Sequence, residues 1–277
     1  MKVNVAIRVL FLLLTVMPVT DVLGQARKNQ STTSVKKKPA SKPRTIEQMV
    51  SELAQNMVYV EGGSFMMGTD YDDNDFFEIK DDETPAHKVT ISSYYICKYE
   101  VTQELWQAVM GDNPSKFKGA RLPVENMRWE VCQEFINRLN SLTGETYRLP
   151  TEAEWEFAAR GGNKSKGFKY AGSNSLGEVA WYDDNSGNKT HNVGTKKPNE
   201  LGLYDMSGNA CEWCNDWYSE TYYNYSKDTV NPKGPSGGKL HVYRGGDYFL
   251  SSKFHRVTNR YFSKVYEAYG LGLRLAK

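Results

Sequence analysis

From Gly161 onward the chain is rich in Gly, Asn, Asp, Pro and aromatic residues, a composition that breaks helices and leaves room for only short strands. That stretch predicts a loop-rich second half. Aromatic residues make up 13% of the sequence, and rings that bury much area at small conformational cost can hold such a chain together.

Upstream the pattern is more regular. Ile46, Met49, Val50 and Leu53 recur at helical spacing over Ile46–Gln55. Thr102 reads as the cap of a helix over 103–110, stopped by Gly111. A second helix runs from Trp129 to Leu142, with Val131, Phe135, Leu139 and Leu142 on one face and Gly144 beyond it. In Pro150-Thr151-Glu152-Ala153-Glu154-Trp155, Thr151 and Glu154 form a capping box for a third helix that ends before Gly161. Lys88–Ile91 and Tyr94–Ile96 alternate as strands do. The region 46–277 thus reads as one globular domain.

Ahead of it lie two segments of another kind. Residues 1–24 carry Lys2 and Arg8, then the apolar run Val9–Met17, then Val22-Leu23-Gly24, which is the pattern of a secretory signal cleaved after Gly24. The apolar run is shorter than the roughly 20 residues that span a bilayer, so no transmembrane anchor is expected after cleavage. The expected mature start has no cysteine for a lipid anchor. Residues 25–45 hold seven Lys or Arg, no acid, and many Ser, Thr and Pro, the composition of a disordered basic linker. The whole chain has a formal charge of only +2, so the domain without this arm is mildly acidic, and nucleic acid is not expected as a partner. The predicted location is exported: periplasmic, outer-membrane associated or secreted.

Several segments resemble signatures of the formylglycine-generating enzyme, or sulfatase-modifying factor, superfamily. They are Val58–Gly68, Tyr99–Gln103, Arg148–Glu156, Gly202–Asn209, Arg244-Gly245-Gly246 and Gly270–Arg274, in family order across 56–277. The resemblance implies an irregular, loop-rich α+β fold related to C-type lectins. In the family oxidases two cysteines downstream of Arg-Gly-Gly bind copper(I), since soft thiolates suit that ion. Here the two positions are Leu250 and His255, and the serine after Gly-Gly is Asp247. Leucine cannot ligate, and one histidine cannot replace two thiolates. The resemblance therefore implies a cleft bordered by Asp247, His255, Arg256 and Arg260, no copper, and no catalytic residues for the oxidase chemistry.

The resemblance also implies a calcium site, with side-chain carboxylates of Asp205 and Glu212 and the carbonyls of Gly208 and Ala210 as ligands. Hard oxygens around a tight glycine turn suit calcium. The alternative is that Glu212 pairs with a nearby arginine while the turn holds itself. The family's second calcium site, expected near 179–188, has no recognisable ligands. Asp70–Asp75 lacks the glycine and the twelfth-position glutamate of a calcium loop and reads as a solvated surface loop. Of the cysteines Cys97, Cys132, Cys211 and Cys214, the last two read as core packing, and in an oxidising compartment a long-range disulfide of unassigned pairing stays open. In the family Cys211-Glu212-Trp213-Cys214 enters a strand, and residues three apart on a strand face opposite ways, too far for a disulfide. The set His-x-x-x-His-x-Glu of the related iron-dependent sulfoxide synthases is absent.

The functional expectation is an exported, non-catalytic binding or scaffold protein of the cell envelope. Its partner would be an envelope protein or a cell-surface polymer, and relatives of this kind serve gliding-motility and type IX secretion assemblies. Two alternatives stay open: a metal-dependent oxidase with an altered site, and a calcium-dependent carbohydrate binder.

Overall fold

The computed structural model describes residues 44–70, 80–263 and 270–277. The signal-like segment, nearly all of the basic arm and most of the Asp70–Asp75 loop lie outside these residues. Helix α1 (Ile46–Gln55) opens on the capping box of Thr45 and Gln48. Helix α2 (Gln103–Met110) ends on Gly111, and α3 (Trp129–Thr143) on Gly144, both glycines in the left-handed region that an L side chain resists. Helix α3 ends one residue later than its apolar spacing indicated. Thr102 stands at the start of α2 without capping it through its side chain, and it bridges Pro123 instead.

Among the described residues three small sheets are built from short strands. Strands β1 (Met57–Val60) and β4 (Tyr94–Cys97) pair antiparallel, as do β2 (Gly63–Met67) and β3 (His87–Ile91). Further along lie β5 (Cys211–Trp217), β6 (Thr229–Val230), β7 (His241–Arg244), β8 (Tyr261–Ser263) and β9 (Leu271–Gly272). Strand β6 joins β3 in parallel, and the remaining four form a sheet in the order β8-β7-β5-β9. The loop-rich stretch also contains two single-turn helices, α5 (Leu176–Val179) and α6 (Asp183–Ser186). Among the described residues no helix is long and apolar enough to cross a membrane.

Among the described residues two large apolar cores form, beside a small third cluster of Tyr170, Leu176, Val179 and Ala180. One lies among α1, α2 and α3, where Trp106 stacks on Phe135 with ring centres 4.8 Å apart. The other surrounds helix α4 (Glu152–Ala159), capped by Thr151 and Glu154. Strand β5 runs between the cores: Cys211 packs in the first and Cys214 in the second, as opposite faces of a strand require.

Helix α4 is buried nearly all round, so its acidic residues need partners. Glu152 and Glu156 are four residues apart and therefore share one face. They receive Arg244, whose Nη1 lies 2.9 Å from Glu152 Oε1 and whose Nη2 lies 2.5 Å from Glu156 Oε2. This buried ionic cluster ties the helix to β7.

Candidate functional site

The loop that follows β7 is set by two consecutive glycines. Gly245 and Gly246 both have positive φ, at 100° and 74°. A Cβ on Gly246 would stand 2.7 Å from the His255 ring, so glycine is what lets the imidazole close over this turn. Asp247 then folds the chain back: its Oδ1 accepts from the backbone N–H groups of Phe249 and Leu250 at 2.9 and 3.1 Å. The residue is 3% exposed, and burial pushes its carboxyl up to about 6 against the pull of those two bonds.

His255 is fully buried. Its Nδ1 lies 3.1 Å from the carbonyl of Ser251, and its Nε2 lies 3.0 Å from the carbonyl of Asp247. Burial lowers its pKa below the usual imidazole value. Both ring nitrogens therefore face backbone carbonyls, and neither is directed at an open coordination position. Leu250 is half-buried and contributes its carbonyl to Asp183 N–H at 3.3 Å. One engaged imidazole and one alkyl side chain do not fit copper(I).

Arg256 and Arg260, expected to border a cleft, are 5% and 1% exposed and act as internal braces. Arg256 makes a two-pronged contact with Glu83 at 2.6 and 2.9 Å, reinforced by Thr258 Oγ1 at 2.8 Å. Arg260 grips both oxygens of Glu152 at 2.7 and 2.8 Å and lies under the Tyr223 ring, 4.1 Å from its centre. Of the four expected residues, Arg256 also borders a small pocket with Thr69 and Arg160. The reason for the difference is the buried carboxylates: Glu83 and Glu152 would be stranded in the interior without these guanidinium groups.

The expected calcium residues gather at the turn before β5. Asp205 and Asn209 adopt left-handed backbone, and a Cβ on Gly208 would meet the carbonyl of Trp181 at 2.4 Å. Asp205 Oδ2 accepts from Gly194 N–H at 2.7 Å, while its Oδ1 is buried without a hydrogen-bond partner. Burial raises this carboxyl to about 6, so the orphaned oxygen can carry a proton. Glu212 has no such freedom. Arg274 donates to both of its oxygens at 2.6–3.0 Å, and Trp155 Nε1 donates to Oε2 at 2.7 Å. With Glu212 neutralised and saturated, the four-residue set does not fit calcium in this arrangement. The arginine pairing is what the buried charge selected. Among the described residues, no three His, Cys, Asp or Glu side chains are placed to hold a metal ion together.

The family model for the sulfatase-modifying factor enzyme 1-like domain matches residues 42–277. The chain belongs to this family. It is 39% identical to chaperone protein LppX of Paenibacillus barcinonensis over 218 residues, covering 60% of this chain and 73% of that protein. It is 28% identical to the formylglycine-generating enzyme of Streptomyces coelicolor over 288 residues, covering 80% of this chain and 84% of the enzyme. Among solved structures, Treponema denticola variable protein 1 superposes with a TM-score of 0.70 at 33% identity, covering 79% of this chain and 94% of that one. The α+β, C-type-lectin-like fold is thus that of the sulfatase-modifying factor family.

Within this family member the four cysteines are free and buried, and burial raises the pKa of each thiol. Protonated, enclosed thiols are poor nucleophiles and poor metal ligands. Sequence reasoning missed Glu100. It is buried and holds the turn before β5, accepting from Ala210 N–H at 3.0 Å and Asn209 Nδ2 at 2.8 Å. Its place in Tyr99-Glu100-Val101-Thr102, one of the segments shared with the family, was the available signal.

Proposed function

We propose that this protein is an exported, non-catalytic binding protein of the cell envelope that uses the sulfatase-modifying factor fold as a rigid platform. The observation that carries the reading is the replacement of the copper positions by Leu250 and by a His255 whose two nitrogens face backbone carbonyls. The family oxidation needs thiolate-bound copper, and every cysteine here is buried elsewhere. The likeness to a protein named as a chaperone supports a role in handling partners rather than oxidising them. The apolar run Val9–Met17 behind Lys2 and Arg8 supports export. The partner is an envelope protein or a cell-surface polymer, in the setting of an envelope assembly such as a secretion or gliding machine.

Oxygen uptake tests the reading. Purified protein supplied with copper(I) and a cysteine-containing peptide is expected to consume oxygen no faster than copper and peptide alone. Protein-dependent uptake with loss of the peptide thiol would overturn it.

A further inference from the structure

A broad polar basin on this domain shares no residue with the copper or calcium positions. It has a volume of about 500 Å³ and lies between the β3–β4 turn, the start of α4 and the segment after β6. That size falls within the range of small-ligand sites.

Its walls are rigid for identifiable reasons. The segment after β6 is pinned by Asn231, whose Oδ1 accepts from Ser92 N–H at 2.7 Å and whose Nδ2 donates to Ser92 Oγ at 2.9 Å. Pro232 is buried next to it, which leaves Lys233 exposed at the rim. On the other side Arg148 makes a two-pronged pair with Glu154 at 2.7 and 2.8 Å, and Thr151 N–H also donates to Glu154 at 2.8 Å. The single side-chain carboxylate of the basin, Glu154, is therefore saturated and neutralised. Lys277 is held by the reciprocal backbone bonds of its residue with Tyr95 at 2.8 and 3.0 Å.

The side-chain charge that remains in the lining is positive. Lys233 takes part in no ion pair among the described residues, and Lys277 has only an exposed partner, Glu145, in a pairing worth little in water. Around these cations stand short neutral hydrogen-bonding groups, among them Ser93 and Asn215, both exposed. The lining has no exposed aromatic ring, which a nucleobase would need for stacking.

We propose that this basin binds an anionic group carried on a polyhydroxyl ligand, either a sugar acid or a sugar phosphate unit. The lysines meet the anion, and the hydroxyl and amide groups meet the sugar hydroxyls. The site goes beyond the non-catalytic reading above and does not depend on it, because none of its residues touches the copper positions.

Calorimetric titration of the full mature chain with galacturonic acid, glucose 1-phosphate, glucose and inorganic phosphate tests the assignment. At least one of the two charged sugars is expected to bind at least tenfold more tightly than glucose and than inorganic phosphate, and which one binds names the anion. Lys233→Glu and Lys277→Glu alter exposed side chains, so both variants should melt like the parent and each lose binding tenfold or more. The proposal is overturned if neither charged sugar binds, if glucose or phosphate binds as well as they do, or if both variants bind unchanged.

Discussion

Arg274 and Glu212, 62 residues apart in sequence, form a fully buried pair in which the guanidinium reaches both carboxylate oxygens. The same guanidinium donates to the carbonyls of Cys97 and Tyr204 at 2.9 and 2.7 Å, so it joins three distant segments. Arg274→Met leaves Glu212 charged and unpaired in the interior. It should lower unfolding free energy by about 3–5 kcal/mol, read from urea unfolding. A loss below about 1 kcal/mol would mean that Glu212 has another counter-charge.

That other counter-charge would be calcium, and the pair decides the expectation. With Arg274 in place, neither calcium nor a chelator should move the melting temperature. A ligand bound only by the folded state would raise stability by about 2.7 kcal/mol at a hundredfold excess over its dissociation constant, which a thermal melt detects easily. A calcium-dependent rise abolished by Glu212→Gln would show that the cation displaces the arginine.

Asp247 should make stability depend on pH. Its carboxyl titrates at about 6 in the folded protein because it is buried, against roughly 3.9 in an unfolded chain. Between those values the folded state keeps a proton that the unfolded chain has released. The contribution therefore favours folding in acid and is lost as pH rises from about 4 to about 6. Asp247→Asn keeps the oxygen that accepts from Phe249 and Leu250 but cannot ionise. Its stability relative to the parent should increase over that window by an amount on the order of 1–3 kcal/mol. Parallel pH profiles of the two proteins would place Asp247 in water instead.

Gly246→Ala should destabilise the protein by about 1–3 kcal/mol, because φ is 74° and the new methyl would stand 2.7 Å from the His255 ring and 2.9 Å from the carbonyl of Phe254. Gly111, also left-handed but with nothing within 4 Å of its Cβ position, isolates the backbone cost alone. If the two alanine variants melt together, the imidazole does not pack on the glycine.

The sequence showed the parts of this fold that are decided locally. The capping box Thr151–Glu154 and the glycine stops at 111 and 144 lie within a few residues of the helices they bound. The ordered family segments carried the overall architecture. The interior charge was not legible. Arg256 finds Glu83 across 173 residues and Arg260 finds Glu152 across 108, and nothing local distinguishes such arginines from exposed ones. For that reason the sequence did not show that Arg256 and Arg260 are braces in the fold, where Arg256 also borders the pocket with Thr69 and Arg160. Glu212 is a parallel case: the ligand-like spacing around Gly208 was visible, but its distant partner Arg274 was not. The short helices α5 and α6 escaped because single turns leave no apolar period to read.

Copper(I) binding tests the central claim most directly. Competition with a chromophoric copper(I) chelator should show no copper retained by the purified, reduced protein, because Leu250 offers no donor atom and both nitrogens of His255 face backbone carbonyls. One equivalent of copper held against the chelator, and lost on His255→Ala, would contradict the account.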